Sequence, residues 1–216
     1  MSELTALPAY IVLLAALAVV AMLLSEQRAP PLEWLFKPLA SICFVAFALQ
    51  AGALGSSYGL LLLGGLILCL FGDVLLIPSS DKTFIAGLSS FLLGHLLYAL
   101  AFLQLPFNKS AMLISLLPIV ALGSISLGWL WPHLPPKMKV PVFAYLVVIC
   151  GMLLAASMCW GATPGAWILL GAWGFAISDL SVARNQFVRP HFSNRLWGIP
   201  LYFASQLMLA WSVSLV

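Results

Sequence analysis

Two aspartates stand where a carboxyl group is costly. Asp73 interrupts "LILCLFGDVLLIP" (66–78), and Asp179 interrupts "GFAISDLSVARN" (174–185). An aspartate at the centre of a membrane-spanning helix costs about 2.5–3.5 kcal/mol to insert, less near the interface. Paired carboxyl groups can do acid–base work: one gives a proton, the other takes one from water, and their charge stabilises a cationic intermediate. Glycoside hydrolysis offers the analogy. Two carboxylates about 5 Å apart at an effective dielectric near 20 repel by roughly 3 kcal/mol, so a single proton shared between them is favoured. The structural alternative is that each acid caps a neighbouring helix or pairs with a loop arginine.

Other polar residues recur at helical spacing. Gly87, Phe91, Gly94, His95 and Tyr98 share one helix face, as do Gly198, Tyr202 and Gln206. With Tyr145 and Lys37 they could line one cavity with the acids. Each also has a plainer reading. The glycines would let helices approach closely, His95 would hydrogen-bond a neighbouring helix, and the tyrosines would form an interfacial belt. Lys37, Arg184 and Arg189 would set topology, or one would hold a lipid phosphate. His133 and His191 fall in loops and receive no role. No H-x-x-x-H or H-E-x-x-H spacing occurs, so no metal site is expected. There is no G-x-S-x-G, no Walker motif and no basic–aromatic interleaving suited to nucleic acid.

The elements that must position these residues are membrane helices. Of 216 residues, 63% are hydrophobic and 7% charged, against about 25% charged in a soluble domain. An all-α integral membrane protein follows, expected as a single transmembrane domain over 1–216. Eight apolar runs fall at about 6–24, 35–54, 57–77, 83–104, 110–131, 140–160, 163–184 and 196–216, each long enough for a ~30 Å hydrocarbon core. The first lacks a basic leader and carries Glu3, so it reads as a retained helix rather than a signal peptide. The four cysteines, Cys43, Cys69, Cys150 and Cys159, read as small packing residues.

Charge then orients the helices. Arg28, Lys37, Lys82, Lys137, Lys139, Arg184, Arg189 and Arg195 lie in or beside connections 1–2, 3–4, 5–6 and 7–8, and only Lys109 lies on the other side. The positive-inside rule puts those four connections in the cytoplasm and both termini outside. Asp73 lies five residues before Pro78 and Asp179 five before Arg184, so each sits roughly 7–8 Å inside the cytoplasmic boundary. "GD" followed by "GHLLY", and "SD" followed by "GIPLY", hint at two parallel four-helix repeats that would bring the acids together.

The chain resembles the lysoplasmalogenase-like family, often called the YhhN family. The resemblance rests on "KPLAS", "FGDVLL", "GLSSFLLGHLLYALAF", "VPVFAYLVV", "GAWGFAISDLSVARNQF" and "LYFASQLMLAWS", in order. It implies an eight-helix membrane hydrolase that cleaves the vinyl ether bond of lysoplasmalogens. The products would be a fatty aldehyde and a glycerophospho-amine, either glycerophosphoethanolamine or glycerophosphocholine. The polar site it implies is Asp73, His95, Tyr98, Ser178, Asp179, Tyr202 and Gln206, with Lys37 and Tyr145. Asp73 and Asp179 would be catalytic, and the others would bind substrate. The substrate would be lysoplasmenylethanolamine or lysoplasmenylcholine. The expected location is a bacterial inner (plasma) membrane, with the site open to the cytoplasm. Vinyl ether hydrolysis needs a proton on the β-carbon and water at the α-carbon, which requires no metal or organic cofactor. A proton-coupled transporter also uses buried acids, and a lipid-binding membrane protein is the third reading.

Overall fold

Residues that stop helices divide the chain. Ser56, Ser80, Asn108 and His191 each turn a side chain back to accept from an amide in the first turn of the following helix. Pro136 opens another at its first position. The computed structural model describes residues 2–25, 32–78 and 80–216. Among these lie eight helices: α1 (Ser2–Ser25), α2 (Glu33–Gln50), α3 (Ser57–Leu75), α4 (Asp81–Phe102), α5 (Lys109–Leu130), α6 (Pro136–Met158), α7 (Gly165–Ala183) and α8 (Phe192–Ser212). Helices α2 to α8 are long and apolar enough to cross a membrane, and α1 is apolar over Ala9–Ser25. Large apolar side chains face outward, with Ile114 77% and Leu117 78% exposed. In water such a surface would drive aggregation. The chain is a multi-pass membrane protein.

Two helices differ from the apolar runs for local reasons. Helix α2 stops at Gln50 because the chain turns at Gly52, where φ is 91°. Helix α8 starts at Phe192, before its apolar run, because His191 accepts from the Ser193 amide. Beyond α7, residues Arg184–Val188 widen into π geometry, with Arg189 N–H donating to Arg184 O at 2.8 Å. This widened turn carries Phe187 against Phe84 of α4, ring centroids 5.5 Å apart.

Polar contacts show which connections share an end. Arg195 at the start of α8 pairs with Glu33 at the start of α2 (2.6 Å), and Lys137 at the start of α6 pairs with Asp81 at the start of α4. At the other end, Asn108 reaches Trp160 O at 2.8 Å. Arg28 lies outside the described residues.

Helix α3 packs along α4 and α7 along α8, with α2 against α8 and α4 against α6. Glycines allow the close approaches: a Cβ on Gly72 would fall 2.7 Å from the Phe91 ring, and one on Gly171 would fall 2.8 Å from Leu209. The stretches "GHLLY" and "GIPLY" do not lie at matching depths. Gly94 backs onto Gly65 and Cys69, before Asp73 in the chain, whereas Gly198 backs onto Ser178 and Ser181 on either side of Asp179. In the α3–α4 pair it is Gly87, facing Gly72 and Leu76, that occupies the place of Gly198.

Candidate active site

Helices α3 and α7 bring their aspartates to one cavity. Its empty space, counted out to its open mouth, is about 1150 Å³, and Lys37, Asp73, Tyr145, Ser178, Asp179 and Tyr202 all contribute to its lining. The rest of the wall is mainly aliphatic, including Leu122, Leu127 and Leu130 from α5 and Val142, Leu146 and Ile149 from α6. Phe84, Leu76 and Phe187 also line it, so the cavity lies in the half of the bundle nearer the basic connections.

The two acids have separate partners. Asp73 is 2% exposed. Its Oδ2 accepts from Ser41 Oγ and from Tyr202 OH, each at 2.7 Å, and Lys37 Nζ stands 3.7 Å from Oδ1. Two helices besides its own supply these partners, α2 giving Ser41 and Lys37 and α8 giving Tyr202. Asp179 Oδ2 accepts from Tyr145 OH of α6 at 2.9 Å, and His95 Nε2 of α4 stands 3.8 Å from the same oxygen. His95 Nδ1 is 2.7 Å from Phe91 O, one turn earlier on its own helix.

Phe175 lies between the two groups. Its ring centroid is 4.3 Å from that of His95 and 5.2 Å from that of Tyr202. Its place, four residues before Asp179, turns it to the same face of α7. The ring places apolar surface between the polar groups and packs against both neighbours.

Three of the expected site residues sit behind the cavity wall. His95, Tyr98 and Gln206 are fully buried and absent from the lining. Tyr98 OH donates to Gln206 Oε1 at 2.7 Å, with Cys69 Sγ 3.6 Å away. Ser178 lines the cavity, but its hydroxyl donates to Phe175 O at 2.7 Å within its own helix. Sequence reasoning did not single out Ser41 or Phe175. The available signal for Ser41 was its position four residues after Lys37, on one helix face. Among the described residues, no group of three or more His, Cys, Asp and Glu side chains converges as a metal site would require.

The YhhN family profile matches residues 32–213. The chain belongs to the YhhN family. Among its relatives, Lysoplasmalogenase TMEM86B of Sus scrofa is 31% identical over 180 residues, which is 83% of this chain and 74% of the relative. Lysoplasmalogenase TMEM86B of Homo sapiens is 33% identical over 185 residues, covering 84% and 76%. A Lysoplasmalogenase of Mycobacterium tuberculosis (strain CDC 1551 / Oshkosh) is 31% identical over 148 residues, covering 66% of this chain and 55% of the relative. No solved structure matches the chain. The YhhN match spans every helix from α2 to α8, and so includes both acids and all their partners.

Proposed function

We propose that this YhhN-family chain is an intramembrane hydrolase that cleaves the vinyl ether bond of lysoplasmalogens. The products are a fatty aldehyde and glycerophosphoethanolamine or glycerophosphocholine. The observation that carries the reading is the pair of acids, Asp73 buried and Asp179 partly exposed, on one largely apolar cavity. The relatives named lysoplasmalogenase support it.

The cavity suits such a lipid. Ligand sites for small molecules are mostly apolar with a few placed polar groups. The aliphatic wall of α5 and α6 accepts the alkenyl chain, and Lys37, at the polar end, is a point charge for the headgroup phosphate. A proton is delivered to the β-carbon, and the ether oxygen shares the resulting positive charge. Water adds at the α-carbon, and the hemiacetal collapses to aldehyde and alcohol. Asp73 and Asp179 carry the proton transfers and stabilise the cation. Tyr145, Tyr202, Ser178, His95, Tyr98 and Gln206 hold the site in shape around them.

In this reading the chain is one transmembrane domain with eight spans, in a bacterial inner membrane. Both termini lie outside, and the cavity opens toward the cytoplasmic, basic end. The loop-charge asymmetry supports this orientation. Two parallel four-helix repeats are supported by matching neighbours: α3–α4 with α7–α8, α2–α3 with α6–α7, and α2–α8 with α6–α4.

The test is chemical. Purified protein in detergent is incubated with lysoplasmenylethanolamine and, separately, with the saturated ether lysolipid of the same chain length. Aldehyde from the vinyl ether alone is the expected result. A saturated ether has no double bond to protonate, so equal cleavage of both contradicts the reaction. A transporter would release no aldehyde in detergent.

A further inference from the structure

The two acids differ in what faces them, and the difference locates a proton. His95 Nδ1 is 2.7 Å from Phe91 O. A backbone carbonyl has no hydrogen to give, so Nδ1 carries one and donates it. The other ring nitrogen, Nε2, is buried and has no hydrogen-bond partner among the described residues. It faces Asp179 Oδ2 at 3.8 Å. If neither group held a proton there, two lone pairs would face each other, and the fully buried Nε2 would go unsatisfied. One proton between them removes the conflict. It resides on the carboxyl group or on Nε2, and because 3.8 Å is just beyond direct hydrogen-bond reach, a small closure of the gap lets the other group accept it. Either way the couple holds one.

Asp73 has the opposite surroundings. Ser41 Oγ and Tyr202 OH donate to Oδ2, and the Lys37 ammonium stands beside Oδ1. The ammonium cannot accept a hydrogen bond, and Ser41 Oγ, with Lys37 O also 3.0 Å away, makes its shorter contact, 2.7 Å, to Asp73. Such a set holds a carboxylate.

We infer that Asp179 and His95 together store the catalytic proton, which Asp179 delivers to the vinyl ether, while Asp73 is the carboxylate that accepts the proton from water. Asp179 is then the acid, Asp73 the base, and His95 a positioning residue that acts through Asp179. This assignment rests on the vinyl ether reading.

The steps balance. The π electrons of the vinyl ether take the proton from Asp179 at the β-carbon, and an ether-oxygen lone pair forms the oxocarbenium ion. Water bonds to the α-carbon and loses a proton to Asp73, giving the hemiacetal. Its hydroxyl proton passes to the Asp179 carboxylate as the C=O bond forms. The bond to the glycerol oxygen breaks, and that oxygen takes the proton from Asp73. Both acids return to their starting states, and one water is consumed.

The experiment uses full-length protein in detergent with lysoplasmenylethanolamine in D2O. Wild-type turnover should place one deuterium on the aldehyde carbon next to the carbonyl. Absence of aldehyde would defeat the reaction itself, separately from the assignment. In Asp73→Asn the cation still forms, water capture is impaired, and the cation returns by giving a hydrogen back to Asp179. Unreacted substrate recovered from this variant should therefore carry deuterium at its vinyl β-carbon, and substrate recovered from Asp179→Asn should not. Exchange with Asp179→Asn, or with neither variant, overturns the assignment. For His95, Asn keeps a donor near Phe91 O but removes the group at Nε2, whereas Gln can return an acceptor there. His95→Asn should lower kcat about tenfold with KM within about twofold, and His95→Gln should restore most of it. In the Asp179→Asn background His95→Asn should have no further effect on kcat. Equal loss in both His95 variants, or an undiminished loss in the Asp179→Asn background, contradicts the positioning role.

Discussion

Tyr202 donates its hydroxyl to Asp73 across 2.7 Å, so a residue of α8 holds an acid of α3. The same ring makes edge contacts with Phe91, Phe175 and Phe203. The hydroxyl can therefore be removed with little disturbance to the fold. Tyr202→Phe should reduce kcat by about 10- to 100-fold, the range set by losing a hydrogen bond to a charged group, about 1.5–3 kcal/mol. Its unfolding temperature in detergent should stay close to that of the wild type. Unchanged kcat would remove Tyr202 from the site.

Lys37 is the only cation among the described cavity-lining residues, and it stands beside Asp73. Lys37→Met should lower kcat/KM by at least about tenfold, and Lys37→Arg should recover part of the loss because it restores charge without the same geometry. Steady-state kinetics on one lysolipid would check both. A Met variant with wild-type kcat/KM would show that the charge serves topology alone.

Much of this was readable in residues, for identifiable reasons. Long apolar runs announce membrane helices, since lipid leaves the backbone no other partner. An acid inside such a run is costly enough to be noticed, which singled out Asp73 and Asp179. Partners across helices are a different matter. Nothing local in the chain says that Tyr98 meets Gln206, 108 positions away, or that Ser41 meets Asp73. The wall supplied by Leu122, Leu127 and Leu130 of α5 was also illegible, because an apolar residue facing a cavity looks like one facing lipid. The match of "GHLLY" to "GIPLY" misleads on depth. Gly94 and Gly198 are both small for close approach, but they approach different turns of their partner helices.

The close approaches make a stability prediction. A Cβ on Gly171 would meet Leu209 at 2.8 Å and Ser205 O at 3.1 Å, and the latter is backbone and cannot swing away. Gly171→Ala should destabilise the protein by about 1–3 kcal/mol. At Gly128 no atom lies within 4 Å of an added Cβ, so Gly128→Ala should be neutral or slightly stabilising. Thermal unfolding of both variants in one detergent is the check. Equal effects would mean that α7 and α8 do not pack as described.

Orientation has its own test. The ion pairs Arg195–Glu33 and Lys137–Asp81 lie at one end of the bundle, the end that carries the basic connections. Reporter fusions after residues 30, 80, 135 and 190 should all report the cytoplasm. Two of the four reporting the other side would overturn the eight-span arrangement.

The central claim is that Asp73 and Asp179 form one catalytic unit, and aldehyde release by three variants tests it most directly. Asp73→Asn and Asp179→Asn should each lower turnover of lysoplasmenylethanolamine by at least about 10². The double variant should be little slower than the slower single, since the two residues serve successive steps of one reaction and the slower step sets the rate. All three should purify as folded protein, because Asn keeps the size of the side chain. A well-folded single variant with full activity would contradict the account, and so would a double variant whose loss is the product of the two single losses.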